Sequence, residues 1–332
     1  MTKASPMVSV IVPARPDQSR VLSVEAAAHL SHSPGKLEIL LARGPQPSIQ
    51  RNKAVEEAKG EWIYFLDDDS IPDPDNLKRA RELWDEPDVV MIGGPNVCPD
   101  NAPLLQQAFA RVMGNRLAFG PSAARYRPVG ERRTSGEKEL ILCNLMARRS
   151  AFRDAGGFDE NLYPNEENAL MDAFAGQGGK LIYDPNFVVE RNPRSSLRDF
   201  IRMLMNYGRG RAEQFRLHPT TGSILNFIPP LFVLYLLGLV AVLPLACPCL
   251  TALLLAPLVP YAALVGWFSW GESSASEDAH WVDELFHFLV VPALVIATHI
   301  FYGLGFWKGL FTQLGKGPVK RDIPVTIEHI HV

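Results

Sequence analysis

The chain has 332 residues, 47% of them hydrophobic, and a net formal charge of −3, so it is long enough for about two ordinary domains and carries no general basic field for nucleic acid. The 49 residues from Ser223 to Gly271 contain no Asp, Glu, Lys or Arg. At ~1.5 Å per residue that stretch can cross a ~30 Å hydrocarbon layer twice, which excludes a wholly soluble protein.

The first apolar run, at 8–12, is too short for the core of a secretory signal and lacks a small-residue cleavage site, so residues 1–222 are expected to stay in the cytoplasm. Short β-rich runs at 8–12, 37–41, 62–66, 89–92 and 140–146 alternate with helical segments at 48–58, 75–84 and 167–175, the rhythm of a mostly parallel sheet covered by helices. Residues 93–139, rich in Pro, Gly and Arg, read as irregular. The four cysteines make neither a disulfide framework nor the spaced pairs of a zinc site, and are expected to be reduced.

From Leu197 onward Phe200, Ile201, Leu204 and Met205 form a helical apolar stripe, with Arg198, Arg202 and Arg209 on other faces. This predicts a basic helix lying in the lipid headgroup layer, the alternative being a helix packed on the soluble domain. Beyond it, candidate spans fall at 224–246, 250–270 and 285–307. Three crossings would put Lys308, Lys316, Lys320 and Arg321 outside, against the positive-inside rule; a re-entrant 250–270 would return the C-terminus to the cytoplasm. The candidate spans hold no Asp, Glu, Lys or Arg, and His287 and His299, the side chains there that titrate near neutral pH, read as interfacial or helix-packing residues, which argues against a transporter. The expected organisation is a cytoplasmic domain at 1–195, the interfacial helix at 196–218, the membrane region at 224–307 and a tail at 308–332.

The chemistry concentrates in two places. Trp62-Ile-Tyr-Phe-Leu-Asp67-Asp68-Asp69 sets three carboxylates at the carboxyl end of a buried strand, where open α/β sheets bind ligands. Such a cluster calls for a cation, a hard divalent ion such as Mg²⁺ or Mn²⁺ being suited to carboxylates and a nucleotide's diphosphate; the alternative is a solvated turn capping the next helix. Glu166-Glu167, downstream of Gly156-Gly157-Phe158-Asp159-Glu160, opens a helix, where the pair either complements the helix dipole or supplies a base.

Taken together, Val8-Ser-Val-Ile-Val-Pro13-Ala-Arg15, Gln50-Arg51-Asn52-Lys-Ala-Val-Glu-Glu-Ala-Lys-Gly60, Phe65-Leu-Asp-Asp-Asp69, Gly156-Gly-Phe-Asp-Glu160, Glu166-Glu167 and Tyr207-Gly-Arg209-Gly-Arg211 resemble the family-2 inverting nucleotide-sugar glycosyltransferases. The likeness is greatest to membrane-tethered, succinoglycan-type members. The resemblance implies an α/β, GT-A (nucleotide-diphospho-sugar transferase) domain with a mostly parallel sheet, followed by a helical transmembrane region in the bacterial cytoplasmic membrane. It implies that Asp67 and Asp69 hold a divalent cation, and that Asp67, Asp68, Pro13, Arg15, Asp17, Arg51 and Asn52 lie on the nucleotide side. Arg209 and Arg211 would hold the diphosphate or a lipid phosphate. Glu167 is implied as catalytic base with Glu166 as fallback.

The donor implied is a UDP- or GDP-sugar and the acceptor a lipid-linked saccharide, no nucleic acid being involved. Transfer to a polyprenyl phosphate, or a non-catalytic module that binds a nucleotide sugar or a partner synthase, are the rival readings. The family's acidic residue after the second strand is absent here, where the strand ends Leu40-Leu41-Ala42-Arg43; Asp17 stands in for the polar residue expected after Arg15.

Overall fold

The computed structural model describes residues 7–32, 36–160, 166–217, 219, 221–271, 281–314 and 324–330. They divide into two compact units, one of Met1–Pro99, Ala124–Asn192 and Gly315–Val332, the other of Asp100–Ala123 and Pro193–Leu314. The expected single boundary near residue 195 is therefore corrected. Asp100–Ala123, inside the region read as irregular, groups with the apolar helices; of the expected tail, 308–314 stays with those helices and the described residues 324–330 belong with the sheet.

In the first unit the strands are β1 (Val8–Ala14), β2 (Leu37–Arg43), β3 (Trp62–Leu66), β4 (Ile71–Pro72), β5 (Val89–Gly93), β6 (Asn96–Val97), β7 (Arg133–Thr134), β8 (Asn144–Arg148), β9 (Lys180–Tyr183), β10 (Val189–Glu190) and β11 (Thr326–Ile330). Eight of them form a sheet in the order β11-β2-β1-β3-β8-β5-β9-β7, and β4, β10 and β6 form a small second one. β1 runs parallel to β2 and β3, whereas β8 is antiparallel to β3 and β5. The sheet is thus mixed around a parallel trio. The connection from β5 to β8 is long and includes the helix Leu104–Met113 and β7 rather than a single helical crossover, which permits the antiparallel direction.

β1 is buried on both faces: Val8, Val10 and Val12 pack into one hydrophobic cluster and Ile11 into the other. That double burial is why its sequence is a continuous apolar run and not an alternation. The strand expected at 140–146 lies at Asn144–Arg148, and helices cover Pro47–Glu57, Asn76–Arg81 and Glu166–Gly176, within a few residues of expectation. β11, which the sequence did not reveal, pairs antiparallel with β2 from Thr326 opposite Arg43 to Ile330 opposite Ile39. All four cysteines are free.

The second unit begins with Leu104–Met113, a helix inside the stretch expected to be irregular. Ala108, Phe109, Val112 and Met113 are its buried apolar side chains, and Phe109 stacks on Phe200 at 4.2 Å with the rings nearly coplanar. Phe200 opens the stripe of the Leu197–Leu217 helix. The expectation that this stripe faces acyl chains is corrected as well: Phe200 and Leu204 are fully buried within the unit. The helix packs instead against Trp281–Phe311, closely enough that a Cβ on Gly305 would stand 2.2 Å from the carbonyl oxygen of Met205. Small residues permit such backbone approach between apolar helices.

Three helical stretches, Ile224–Leu245, Pro248–Trp270 and Trp281–Phe311, are long and apolar enough to cross a membrane. The middle one is interrupted, with helices Pro248–Leu255 and Leu258–Gly271 meeting at Pro257, as expected of a proline that lacks its N–H donor. His299 Nδ1 meets the Tyr261 hydroxyl at 2.8 Å, and its Nε2 meets the carbonyl of Leu117 at 3.0 Å. His287 lies 3.4 Å from the carbonyl of Leu104. Both histidines are packing residues. Of the C-terminal basic residues, Lys316, Lys320 and Arg321 lie outside the described residues.

Candidate active site

The parallel trio brings the carboxyl ends of β1, β2 and β3 to one edge, and the helix Pro47–Glu57 carries three consecutive polar side chains to it. Gln50 donates from Nε2 to the carbonyls of Ala14 at 2.8 Å and Ala42 at 2.5 Å, fastening the helix to the ends of β1 and β2. Asn52 donates to the carbonyl of Phe158 at 2.9 Å and to Glu160 Oε1 at 3.2 Å, and accepts from the Phe158 amide at 2.9 Å. Its amide is thus spent on docking the Gly156–Glu160 motif, where Gly157 holds φ at +76°. A side chain there would be strained and would also stand 2.9 Å from Asn52 Oδ1.

Arg51, between them, is buried with only 3% of its surface exposed. Its Nη2 lies 2.6 Å from Asp67 Oδ1, and its Nη1 lies 3.6 Å from Glu166 Oε1. One guanidinium therefore joins the carboxylate cluster to the helix that carries the presumed base. Glu166 is equally enclosed at 3% exposure. Burial, reinforced by the neighbouring Glu167 and opposed by Arg51, pushes its carboxyl up to about 8. Glu167, next on the same first turn, is only partly buried. The next residue, Asn168, accepts from Arg125 at 2.8 Å, and Arg125 also donates to the carbonyls of Lys138 and Glu137, so this arginine anchors the helix. Residues 161–165, including Pro164 and Asn165 of the expected motif, lie outside the described residues.

Sequence reasoning missed Arg191. Its Nη1 lies 2.9 Å from Asp67 Oδ2 and its Nε lies 2.5 Å from Asp69 Oδ1, so one side chain spans the two outer carboxylates of the triplet. Nothing local marks Arg191 in the sequence. It arrives on the small sheet, where β10 pairs with β4, the strand that follows the triplet directly, and with β6. Under that sheet Tyr64 donates to Asn144 at 2.7 Å, Asn76 donates to the Tyr64 hydroxyl at 3.1 Å and to the carbonyl of Val188 at 2.8 Å, and Asn144 donates to the carbonyl of Phe187 at 2.6 Å. These buried bonds fix the approach to Arg191. Burial raises Asp69, an effect that Arg191 opposes, and burial pushes the Cys143 thiol up to about 12, leaving it neutral.

The remaining expected residues are more peripheral. Pro13 is buried in β1, while Arg15 and Asp17 are exposed on the turn that follows. Arg43 occupies the place of the missing acid; it donates to the carbonyls of Arg15 at 3.3 Å and Gln18 at 2.6 Å, and its Nε meets Glu328 of β11 at 2.6 Å. Asp68 sits between the paired aspartates and is partly buried. Arg209 and Arg211 belong to the second unit. There Arg209 lies 3.6 Å from Glu213 and Arg211 donates to Gln214 at 3.0 Å.

A parallel trio with acidic residues at its carboxyl edge and antiparallel β8 beside β3 defines a GT-A type α/β domain. Residues 17–154 match the family described as glycosyl transferase family 2. Over 173 residues, 52% of the chain, it is 26% identical to the pre-mycofactocin glycosyltransferase of two Mycobacterium tuberculosis strains, covering 36% of that protein. Over 215 residues, 62% of the chain, it is 28% identical to the succinoglycan biosynthesis protein ExoA of Rhizobium meliloti, covering 56% of it. The chain therefore spans between about a third and about half of the length of these curated relatives. Among solved structures, a mannosyltransferase of Pyrobaculum calidifontis in complex with GDP-Man and Mn²⁺ is similar in fold, with a TM-score of 0.52 at 17% identity over 93% of this chain and 88% of that one.

Proposed function

We propose that the chain is an inverting glycosyltransferase that moves a sugar from a nucleoside-diphosphate donor to a hydroxyl of a membrane-held acceptor, a polyprenyl-diphosphate-linked saccharide. The observation that carries this reading is the buried Arg51 joined to both Asp67 and Glu166, which ties the donor side to the base side. Glu167 takes the acceptor proton, the freed oxygen forms a bond to the anomeric carbon, and the bond from that carbon to the diphosphate oxygen breaks, its electron pair leaving with the diphosphate. Glu166 is too enclosed to meet an acceptor hydroxyl and acts by holding Arg51, whereas Glu167 is accessible. The apolar helices of the second unit support an acceptor held in the membrane.

The Mn²⁺ in the Pyrobaculum complex supports divalent cation use by this fold, and such an ion would neutralise the departing diphosphate. The carboxylates as arranged do not fit one. Both oxygens of Asp67 and one of Asp69 are engaged by guanidinium groups, and among the described residues no group of three or more His, Cys, Asp or Glu side chains is placed to hold a metal. The mechanism above therefore uses only the chain's own side chains.

The test is to incubate the full chain in detergent with bacterial lipid extract and labelled UDP- and GDP-sugars. One donor is expected to place label in the lipid phase, in a product that mass spectrometry shows to carry a diphosphate. A monophosphate product would reassign the acceptor to a polyprenyl phosphate. Folded protein that turns over no donor would overturn the reading.

The cytoplasmic orientation is proposed on the same footing. Since β11 pairs with β2, the chain leaves and re-enters one compartment, so the stretch between Leu217 and residue 324 crosses the membrane an even number of times. On this reading two of the three candidate helices cross the membrane, and the interrupted Pro248–Trp270 segment is re-entrant or interfacial. Arg216 supports this placement, donating to the carbonyls of Gly309 at 3.0 Å and Thr312 at 2.6 Å at the far end of the Trp281–Phe311 helix. Tags fused to the two termini are expected to share protection from an impermeant protease in intact cells. Opposite protection would refute the parity.

A further inference from the structure

We propose that Arg191 is the resident cation of the Asp67–Asp69 cluster and that its guanidinium, together with Arg51, receives the donor's diphosphate in the place a divalent ion would take. The inference rests on the nucleotide-sugar reading above and adds to it a donor-binding residue. Three observations carry it. The Arg191 guanidinium lies 2.9 Å from Asp67 Oδ2 and 2.5 Å from Asp69 Oδ1, ion-pair distances to both outer carboxylates, while the buried Asp69 oxygen receives no hydrogen bond among the described residues. Its backbone is fixed, since its amide donates to the carbonyl of Val97 at 2.9 Å and β10 just before it is held between β4 and β6. The pocket also holds unspent donors, because the Nε of buried Arg51 and the hydroxyl of fully buried Ser70, the residue after the triplet, have no hydrogen-bond partner among the described residues.

The charge balance agrees with this assignment. Three adjacent aspartates at a partly exposed edge repel one another, and cations beside them relieve that repulsion. Arg51 and Arg191 supply two positive charges, the same number as one divalent ion, but as planar forks with five N–H donors each. A guanidinium carries no open coordination position, so it meets a diphosphate by directed hydrogen bonds to phosphoryl oxygens, for which arginine is better shaped than lysine. A fifth of the Arg191 side chain remains exposed, leaving it open to a ligand while its carboxylate edge is held.

The experiment is calorimetric titration of the full chain in detergent with GDP and UDP, each in EDTA and in Mn²⁺, on the wild type, Arg191→Ala and Arg191→Lys. The wild type is expected to bind one of the two nucleotides with an affinity that EDTA changes by less than about threefold, while Arg191→Ala loses about tenfold or more in EDTA. Mn²⁺ should restore Arg191→Ala, because removing the guanidinium frees Asp67 and Asp69 for the metal. Arg191→Lys, which keeps the charge but loses the fork, should fall between. Wild-type binding that requires Mn²⁺ would overturn the inference and leave the glycosyltransferase reading standing; this arm needs no variant and so survives any failure of Arg191→Ala to fold. Absence of nucleotide binding by folded wild type under every condition would sink both.

Discussion

Replacing Glu167 by Gln is expected to lower turnover by about 10²–10⁴-fold, the usual worth of a positioned base, while leaving donor affinity within about twofold. The amide keeps the shape of the side chain and cannot take the acceptor proton. Glu166→Gln should behave differently, because the enclosed Glu166 carboxyl already favours the protonated form, being pushed up to about 8 mainly by burial. Its effect on stability has a definite sign. The folded state holds this proton more tightly than the unfolded chain, whose carboxyl has its ordinary value of 4.5, so the group's contribution is fully present below that value and is lost as pH rises towards about 8.

Glu166→Gln, a neutral mimic, is therefore expected to flatten the fall in thermal stability between about pH 5 and 8 and to retain most of the turnover at the acid end. Melting curves across that range and steady-state rates for both variants decide the matter. If Glu166→Gln abolished turnover and Glu167→Gln did not, the roles would exchange.

The second large effect is expected at Asp67, where one carboxylate answers two arginines. Asp67→Asn keeps the volume but leaves buried Arg51 without its closest counter-charge, and Arg191 with Asp69 alone. Breaking a buried pair from one side costs about 3–5 kcal/mol; since a quarter of the Asp67 side chain is exposed, about 3 kcal/mol is the expected loss. Asp68→Asn, between the paired residues, should cost about 0.5 kcal/mol or less. Chemical denaturation of the two variants, followed by the near-ultraviolet signal of tryptophan, measures the difference. Equal stabilities would mean that the guanidinium pairs are not holding the edge together, and would weaken every role given to Arg51.

Much of this molecule is legible locally. The continuous apolar runs of β1 and β3 announce strands buried on both faces, the triplet after Leu66 announces a charged edge, and the uncharged stretch after Ser223 announces helices long and apolar enough to cross a membrane. The helices at Pro47–Glu57 and Glu166–Gly176 follow from local signals too, and both fall within one residue of their expected places. The Leu104–Met113 helix was also present as a helical apolar pattern, but the prolines, glycines and arginines around it obscured it.

The sequence by itself determined the strands, the acidic edge, the glutamate pair and the membrane character, because each is a pattern within a few neighbouring residues whose physical cause is local burial or local repulsion. Only the tertiary structure decided which charges meet. Arg191 lies more than a hundred residues from Asp67 in the chain and reaches it because β10 pairs beside β4. β11 settles beside β2, and Phe200 and Leu204 of the Leu197–Leu217 stripe are buried while that helix packs on a glycine-bearing partner helix. Amphipathicity states that a face will be covered, and a charge states that it needs a counter-charge; neither names the partner, which depends on the register and packing of segments far apart in the chain.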